Sequence, residues 1–262
     1  MSGEATKGLL LRLAGPLQSW GEHSTFTVRD TLAYPTRSGI IGLLAAALGL
    51  PRTASLDRFA PLMISVRIDR PGTPLVDFHT VGGGLPRDKT VPTAEGGRRP
   101  PASTTIVSRR TYLADAVFVA AVEGPAPLIR DLCGALRNPV WGAYLGRRSC
   151  PPEAPLLVAG PVDNARELLT RMPLARHQPT PRQPSQPQRT VSVDVVYELA
   201  TDAGFSGTRT SLNDVPDSFS PHSRRYRSRD VTISRIDLPV SLCAGYGRAY
   251  LDRLIGFLKE LP

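Results

Sequence analysis

The chemistry this chain offers is arginine set beside aromatic residues and glycines. At Tyr34-Pro35-Thr36-Arg37-Ser38-Gly39 an arginine and a serine stand at the start of an apolar stretch that reads as a helix. A helix N-terminus presents free N–H groups and the positive end of a dipole, so Arg37, Ser38 and Gly39, with Gly42 allowing close approach, would make a phosphate cradle. An ordinary cap beside a solvated arginine fits the same residues. In Trp141-Gly142-Ala143-Tyr144-Leu145-Gly146-Arg147-Arg148-Ser149-Cys150-Pro151, two aromatics precede an arginine pair in a glycine-rich loop with no acid nearby. Cations for phosphates beside aromatics for bases is what single-stranded RNA binding requires; a solvated turn is the alternative. The densest basic run is Arg224-Arg225-Tyr226-Arg227-Ser228-Arg229, where four cations in six residues repel one another unless an anion is close.

Catalytic patterns are scarce. His23, His79, His177 and His222 are scattered over loops, none at helical spacing with a carboxylate, and no GxSxG, HExxH or GxxxxGK[ST] motif occurs. His79 is the one to keep in view, because it opens a basic segment where general acid–base cleavage of RNA is conceivable. Cys133, Cys150 and Cys243 are far apart, with no CxxC, so neither a metal nor a disulfide framework is expected, and no cofactor is implied.

These segments need elements to carry them. Leu9-Leu10-Leu11-Arg12-Leu13, closed by Ala14-Gly15-Pro16, reads as a buried first strand. A helix follows from Thr36 or Ser38 as N-cap to a stop at Gly49, its apolar length implying one face on a sheet. Leu62 to Ile68 and Ala116 to Val122 read as strands, with a helix from about Pro125 to Leu136. The order is strand, helix, strand, long excursion, strand, helix, which is most of a ferredoxin-like β-α-β-β-α-β unit, and the fold class is α+β. The excursion, from about His79 to Tyr112, holds Gly82-Gly83-Gly84, Gly96-Gly97, Pro100-Pro101 and more bases than acids, Arg109 and Arg110 among them. An insertion that long is usually functional or disordered. A Pro-rich stretch, 173–189, reads as a mobile surface loop unable to build a core. Thr190 to Leu199 and Val231 to Leu238 read as strands of a smaller β-rich C-terminal region. Leu251, Leu254, Ile255 and Leu258 predict an amphipathic helix over about 249–260. The expected division is 1–160 and 161–262.

Composition narrows the partner. Among 262 residues, 32 Lys and Arg against 23 Asp and Glu leave a net charge of +9, which favours a polyanion, nucleic acid ahead of an anionic membrane. Nearly all the cations are arginine, Lys occurring only at 7, 89 and 259; the guanidinium fork binds phosphate bidentately and stacks on bases. No signal peptide is apparent, and the most apolar run, Ile40 to Leu50, is too short to span a bilayer, so a cytoplasmic protein without a membrane partner is expected.

Four separated segments carry a family resemblance: Leu11 to Gly21, Tyr34 to Leu44, His79-Thr80-Val81, and Tyr144 to Pro151. In that order and spacing the chain resembles the fifth family of CRISPR-associated proteins, the CasD type of subtype I-E, over most of residues 9–160, with weaker similarity through Arg224 to Arg229. The Pro-rich stretch and the terminal helix are departures. The resemblance implies a single-copy, non-catalytic subunit of the Cascade surveillance complex with a ferredoxin-like, RNA-recognition-type (RAMP) domain, serving antiviral defence. Such a subunit caps the 5′ handle of the CRISPR RNA and joins backbone and large subunits, with target DNA within reach only through the complex. It implies that Arg37, Ser38 and Tyr144, Leu145, Gly146, Arg147, Arg148 and Ser149 hold the handle, and that the excursion is a long β-hairpin thumb. Gly39, Arg109, Arg110, Arg224 and Arg225 complete the candidate RNA-binding residues. In a sister subtype the family is a metal-independent endoribonuclease acting on repeat RNA, which is the alternative function here; because His79 and Lys89 are not adjacent, no cleavage is expected.

Overall fold

The computed structural model describes residues 5–22, 27–84, 86–93, 96–100, 103–179, 189–198, 207–220 and 223–261. His23, Phe26, His222 and residues 180–188 of the Pro-rich stretch lie outside them. The architecture is mixed α and β, dominated by antiparallel sheet.

Strand β1 (Thr6–Ala14) alternates between two buried faces: Leu9, Leu11 and Leu13 enter one core and Leu10 the other. It pairs with β7 (Val117–Pro125), which pairs with β4 (Met63–Arg70), while β8 (Leu157–Val162) closes the other side of β1. Between them in sequence lie α1 (Arg37–Ala47) and α2 (Ala126–Arg137). Both helices cover the face that carries Leu9, Phe118, Ala120 and Val122, burying Ile40, Ile41, Leu43, Leu44, Ile129 and Leu132. Thr36 is the N-cap of α1, its Oγ1 accepting from the Gly39 amide at 3.2 Å, and Gly49 ends the helix with φ +71°.

The C-terminal strands do not form a sheet of their own. β9 (Thr190–Glu198) pairs with β4, β11 (Arg225–Pro239) with β9, and β10 (Thr208–Ser218) with β11, giving one seven-stranded sheet in the order β10-β11-β9-β4-β7-β1-β8. The short α3 (Ala165–Leu168) and terminal α4 (Gly247–Lys259) cover the opposite face over Val119, Ala121, Val195 and Tyr197. On α4 Tyr250, Leu254 and Phe257 are buried and Leu251 and Leu258 pack partly against them; of the four residues of the expected stripe only Ile255 points to solvent.

The excursion is a hairpin longer than its predicted bounds. β5 (Thr73–Val81) pairs with β6 (Ile106–Ala114) from Thr73↔Ala114 to Val81↔Ile106. β6 also takes the short strands β2 (Leu17–Gln18) and β3 (Val28–Arg29) on its other edge. The Pro-rich stretch is corrected at its start: Leu174 and Ala175 are buried, because the fully buried Arg67 guanidinium binds Asp69 at 2.6 Å and the carbonyls of Met172 and Pro173 at 2.8 and 2.9 Å. A buried guanidinium with its donors satisfied nails that segment to the sheet.

Candidate nucleic-acid interface

Three of the sequence motifs meet at one side chain. Trp20 is fully buried; its Nε1 donates to Gln18 Oε1 at 3.1 Å, and Gln18 Nε2 donates to the carbonyls of Leu13 and Ala116 at 3.0 and 2.8 Å. A Cβ on Gly39 would sit 2.6 Å from the Trp20 ring, so the start of α1 rests on the indole only because that residue is glycine. The Ser19 amide donates to the Leu145 carbonyl at 3.1 Å, and Gly146 turns away with φ +82° so closely that a Cβ would lie 1.7 Å from the Ser19 carbonyl oxygen. The loop that carries Arg147 and Arg148 is thereby fixed against the start of α1.

A cleft of about 800 Å³ opens along this junction. Its floor is the small-residue face of α1, Ser38, Gly39, Gly42, Ala45 and Ala46; Trp141, Tyr144, Gly146, Arg147 and Arg148 line one side, and Phe219 and Arg224, between β10 and β11, with Tyr226 at the start of β11, line the other. The amides of Val140 and Trp141 donate to the last carbonyls of α1, those of Ala47 and Ala46, at 3.0 and 3.3 Å, which leaves the indole 49% exposed at the rim. Arg147 stacks its guanidinium 4.6 Å from the Tyr112 ring centroid and donates Nη2 to the carbonyls of Arg29 and Asp30 at 3.1 and 3.3 Å. Its Nη1 is buried without a hydrogen-bond partner among the described residues.

Arg29 belongs to no motif that would single it out in the sequence. It reaches the site through a two-residue parallel pairing with β6, Arg29↔Arg110 and Val28↔Arg109, which no spacing rule announces. Its pKa is lowered by burial and by the charges of Arg110, Arg147 and Arg224, so these four guanidinium groups share one field. A bound anion would relieve that repulsion. Arg52, at the far end of the cleft, and Phe219 were also missed, since neither belongs to a basic run.

Several candidates are corrected. Arg37 is 6% exposed: its Nη1 lies 2.6 Å from both Glu198 carboxylate oxygens and 2.9 Å from the Leu62 carbonyl, and its Nη2 lies 3.0 Å from the Phe59 carbonyl, so both ends of the fork that would take a phosphate are committed to the interior. The helix start is equally committed, with the Arg37 amide donating to Asp214 Oδ2 at 2.7 Å. Leu145 is a fully buried core side chain. Arg225 and Arg227 flank Asp217 at 3.5 Å, and Arg229 is paired with Asp214 and Glu198, so that basic run is half neutralised and lies on a strand. Arg109 and Arg110 point to opposite faces of the hairpin, Arg109 joining the exposed Phe78 and Val28 away from the cleft. Ser149 is exposed outside the cleft lining.

His79 lies on β5 with Nδ1 3.4 Å from Asp77 Oδ2, and Lys89 lies in a 3₁₀ turn beyond the strand's end. Among the described residues no three His, Cys, Asp or Glu side chains converge to hold a metal ion, and no helix is long and apolar enough to cross a membrane.

The family model of the CRISPR-associated protein (Cas_Cas5) matches residues 8–232. The chain belongs to the CRISPR-associated Cas5 family. The matched span takes in every element of the cleft, from the Trp20 junction to Tyr226, and leaves α4 beyond it. This Cas5 chain is 38% identical over 164 residues to the CRISPR system Cascade subunit CasD of Escherichia coli (strain K12), covering 57% of this chain and 69% of that one. It is 49% identical to a chain of a solved CRISPR RNA-guided surveillance complex, with a TM-score of 0.84 over 97% of this chain and 100% of the other. A second solved structure, a Cas protein, is 30% identical with a TM-score of 0.61, covering 90% and 97% of the two chains. The family resemblance of the motifs is thus a membership, and two glycines of those motifs, Gly39 and Gly146, build the Trp20 junction.

Proposed function

We propose that this Cas5 chain is a non-catalytic Cascade subunit of a CRISPR RNA-guided surveillance complex, working in the cytoplasm, where it grips the 5′ handle of the CRISPR RNA in the cleft above α1. The observation that carries the reading is the convergence of Arg29, Arg110, Arg147 and Arg224 beside a cleft rimmed by Trp141 and Tyr226. Guanidinium groups take phosphates while aromatic faces take bases. Ser38, Gly39, Tyr144, Gly146 and Arg148 complete the site, with Arg29 and Arg52 added. The strands β1, β4, β7 and β8 stand in the neighbour order fourth, first, third, second, which supports a ferredoxin-like domain over 1–160, with 161–262 as its β-rich extension. The β5–β6 hairpin serves as the thumb, and its outer face, with Arg109, meets the backbone subunit. Target DNA comes within reach only through the complex.

The reading is tested by co-expressing the chain with a CRISPR array and the other complex subunits and sequencing the 5′ ends of the RNA that co-purifies. A single repeat-derived 5′ end, lost in an Arg147/Arg148/Arg224 triple alanine variant that still folds, is expected; ends that stay defined in the triple variant would remove the RNA from this cleft. In direct titration, affinity should fall with salt at a log–log slope of about −0.7 per phosphate contact. Arg147→Ala and Arg224→Ala should each flatten it by about one such contact.

One observation favours a second reading, endoribonuclease activity on repeat RNA: the Asp77–His79 pair on the hairpin. The expected outcome is intact repeat RNA after incubation with the purified chain. Site-specific cutting that disappears in His79→Ala would replace the binding role with a catalytic one.

A further inference from the structure

Asp214 is fully buried at a fault in the sheet. Between Leu212↔Arg229 and Val215↔Arg227, β10 advances three residues while β11 advances two, so one residue is bulged out of the ladder. The bulge releases two groups. The Asn213 amide turns outward to Glu22 Oε1 at 2.6 Å, on the segment that follows Trp20. The Asp214 carboxylate turns inward, taking the Arg37 amide at 2.7 Å and the Arg229 fork at 2.6 and 2.8 Å. Arg229 Nη1 then reaches Glu198 at 2.8 Å, and Glu198 returns to the Arg37 guanidinium at 2.6 Å while accepting the Ile64 amide at 3.1 Å. The four residues form a closed ring, entered at Arg37 by its backbone and left by its side chain. Burial opposes the charge on Arg229, but the hydrogen bonds it donates to Asp214 and the fields of Glu198 and Asp214 outweigh it and raise its pKa.

Two cations balance two anions in the ring, so it adds no net attraction for a polyanion, and ion pairs buried this deeply are a poor source of stability compared with apolar contacts of the same volume. What the ring does supply is geometry. It adjoins the cleft floor, since Arg37 falls between the lining residues Thr36 and Ser38, and strand β10 runs from the bulge to Ser218, next to the lining residue Phe219, with Arg224 and Tyr226 where the chain returns along β11. We propose that Asp214 and Arg229 are positioning residues for RNA binding, acting through Arg224: the ring and the bulge fix the cleft wall that carries Arg224 opposite the wall that carries Arg147. This rests on the RNA reading of the cleft.

The test is a double-mutant cycle on the full chain, with a fluorescent single-stranded RNA of the repeat-derived 5′ handle as probe and its affinity measured across a salt series. Arg224→Ala is expected to weaken binding about tenfold, the size of one lost charge-assisted contact, and to reduce the salt slope by about 0.7. Asp214→Asn should do the same, and the double variant should be no weaker than Arg224→Ala alone, because both changes remove one contact. Arg229→Lys keeps the charge and removes the fork; a reduced slope there supports positioning, whereas an unchanged slope overturns it. Should Asp214→Asn fail to fold, Glu22→Gln loosens the bulge from outside and should be non-additive with Arg224→Ala at smaller amplitude. Losses that multiply in either double variant overturn the inference and leave the RNA site standing. Wild-type binding by both Arg224→Ala and Arg147→Ala would instead remove the RNA site, and this inference with it.

Discussion

Arg37 and Arg147 show how little residue type says until partners are known. Both stand in glycine-containing motifs with no acid close in sequence, yet Glu198, 161 positions from Arg37, takes that guanidinium into the interior, while Arg147 is left stacked on Tyr112 at the cleft. Arg37→Ala should therefore act on stability rather than on affinity. It strands Glu198 as a buried carboxylate with a partner gone, at a cost of roughly 3–5 kcal/mol. The backbone amide of residue 37 and the Arg229 fork still hold Asp214 in this variant, so the cleft wall keeps its anchor; the check is a lowered thermal midpoint together with a salt slope of RNA binding equal to wild type in the folded fraction. The arginine-rich character of the site was legible in the sequence and the allocation of each arginine was not, because ion pairing is decided by contacts across the sheet. Arg29 makes the point from the other side: a lone arginine in a loop becomes central once a two-residue strand lays it beside Arg110.

Among the elements, those with a strong local signal were readable. The cap at Thr36, the run Ile40 to Ala47 and the stop at Gly49 fix α1 without outside help, and the leucines of β1 do the same for the central strand. β2 and β3, two residues each, and β10, with its bulge and a proline at position 216, carry no periodicity to detect. The loop from 138 to 151 is the element on which the site depends most, and its pivot is Gly146. Gly146→Ala combines a left-handed φ with a Cβ driven into the Ser19 carbonyl, so the loop must move. Expected are a destabilisation of about 1–3 kcal/mol from the backbone alone and loss of handle binding beyond that of Arg147→Ala, because Trp141, Tyr144 and Arg148 shift with it. Titration of the folded variant decides it; affinity equal to wild type would mean the loop is not what holds the RNA.

For the molecule as a whole, the ion pairs cancel among themselves and add nothing to the +9 net charge, while Arg29, Arg110, Arg147 and Arg224 gather positive charge at one cleft. RNA that binds only the folded chain stabilises it by mass action, about 2.7 kcal/mol at a hundred times Kd. Handle RNA should then raise the thermal midpoint by roughly 5–10 °C, given about 2–4 °C per kcal/mol at this size. The rise should vanish at high salt, and its persistence there would point to a non-phosphate mode of binding. The continuous seven-stranded sheet has a temporal consequence. β9 lies between β4 and β11, so a strand from the last third of the chain must pair with one from the first third before the β10–β11 end reaches the cleft. Such long-range pairing is slow to form. On the proposed reading of the cleft, a nascent chain extended only through β9 carries the sequence of α1 and the Arg147 loop but neither Asp214 nor Arg224, so its full grip on the handle waits for the last two strands of the sheet.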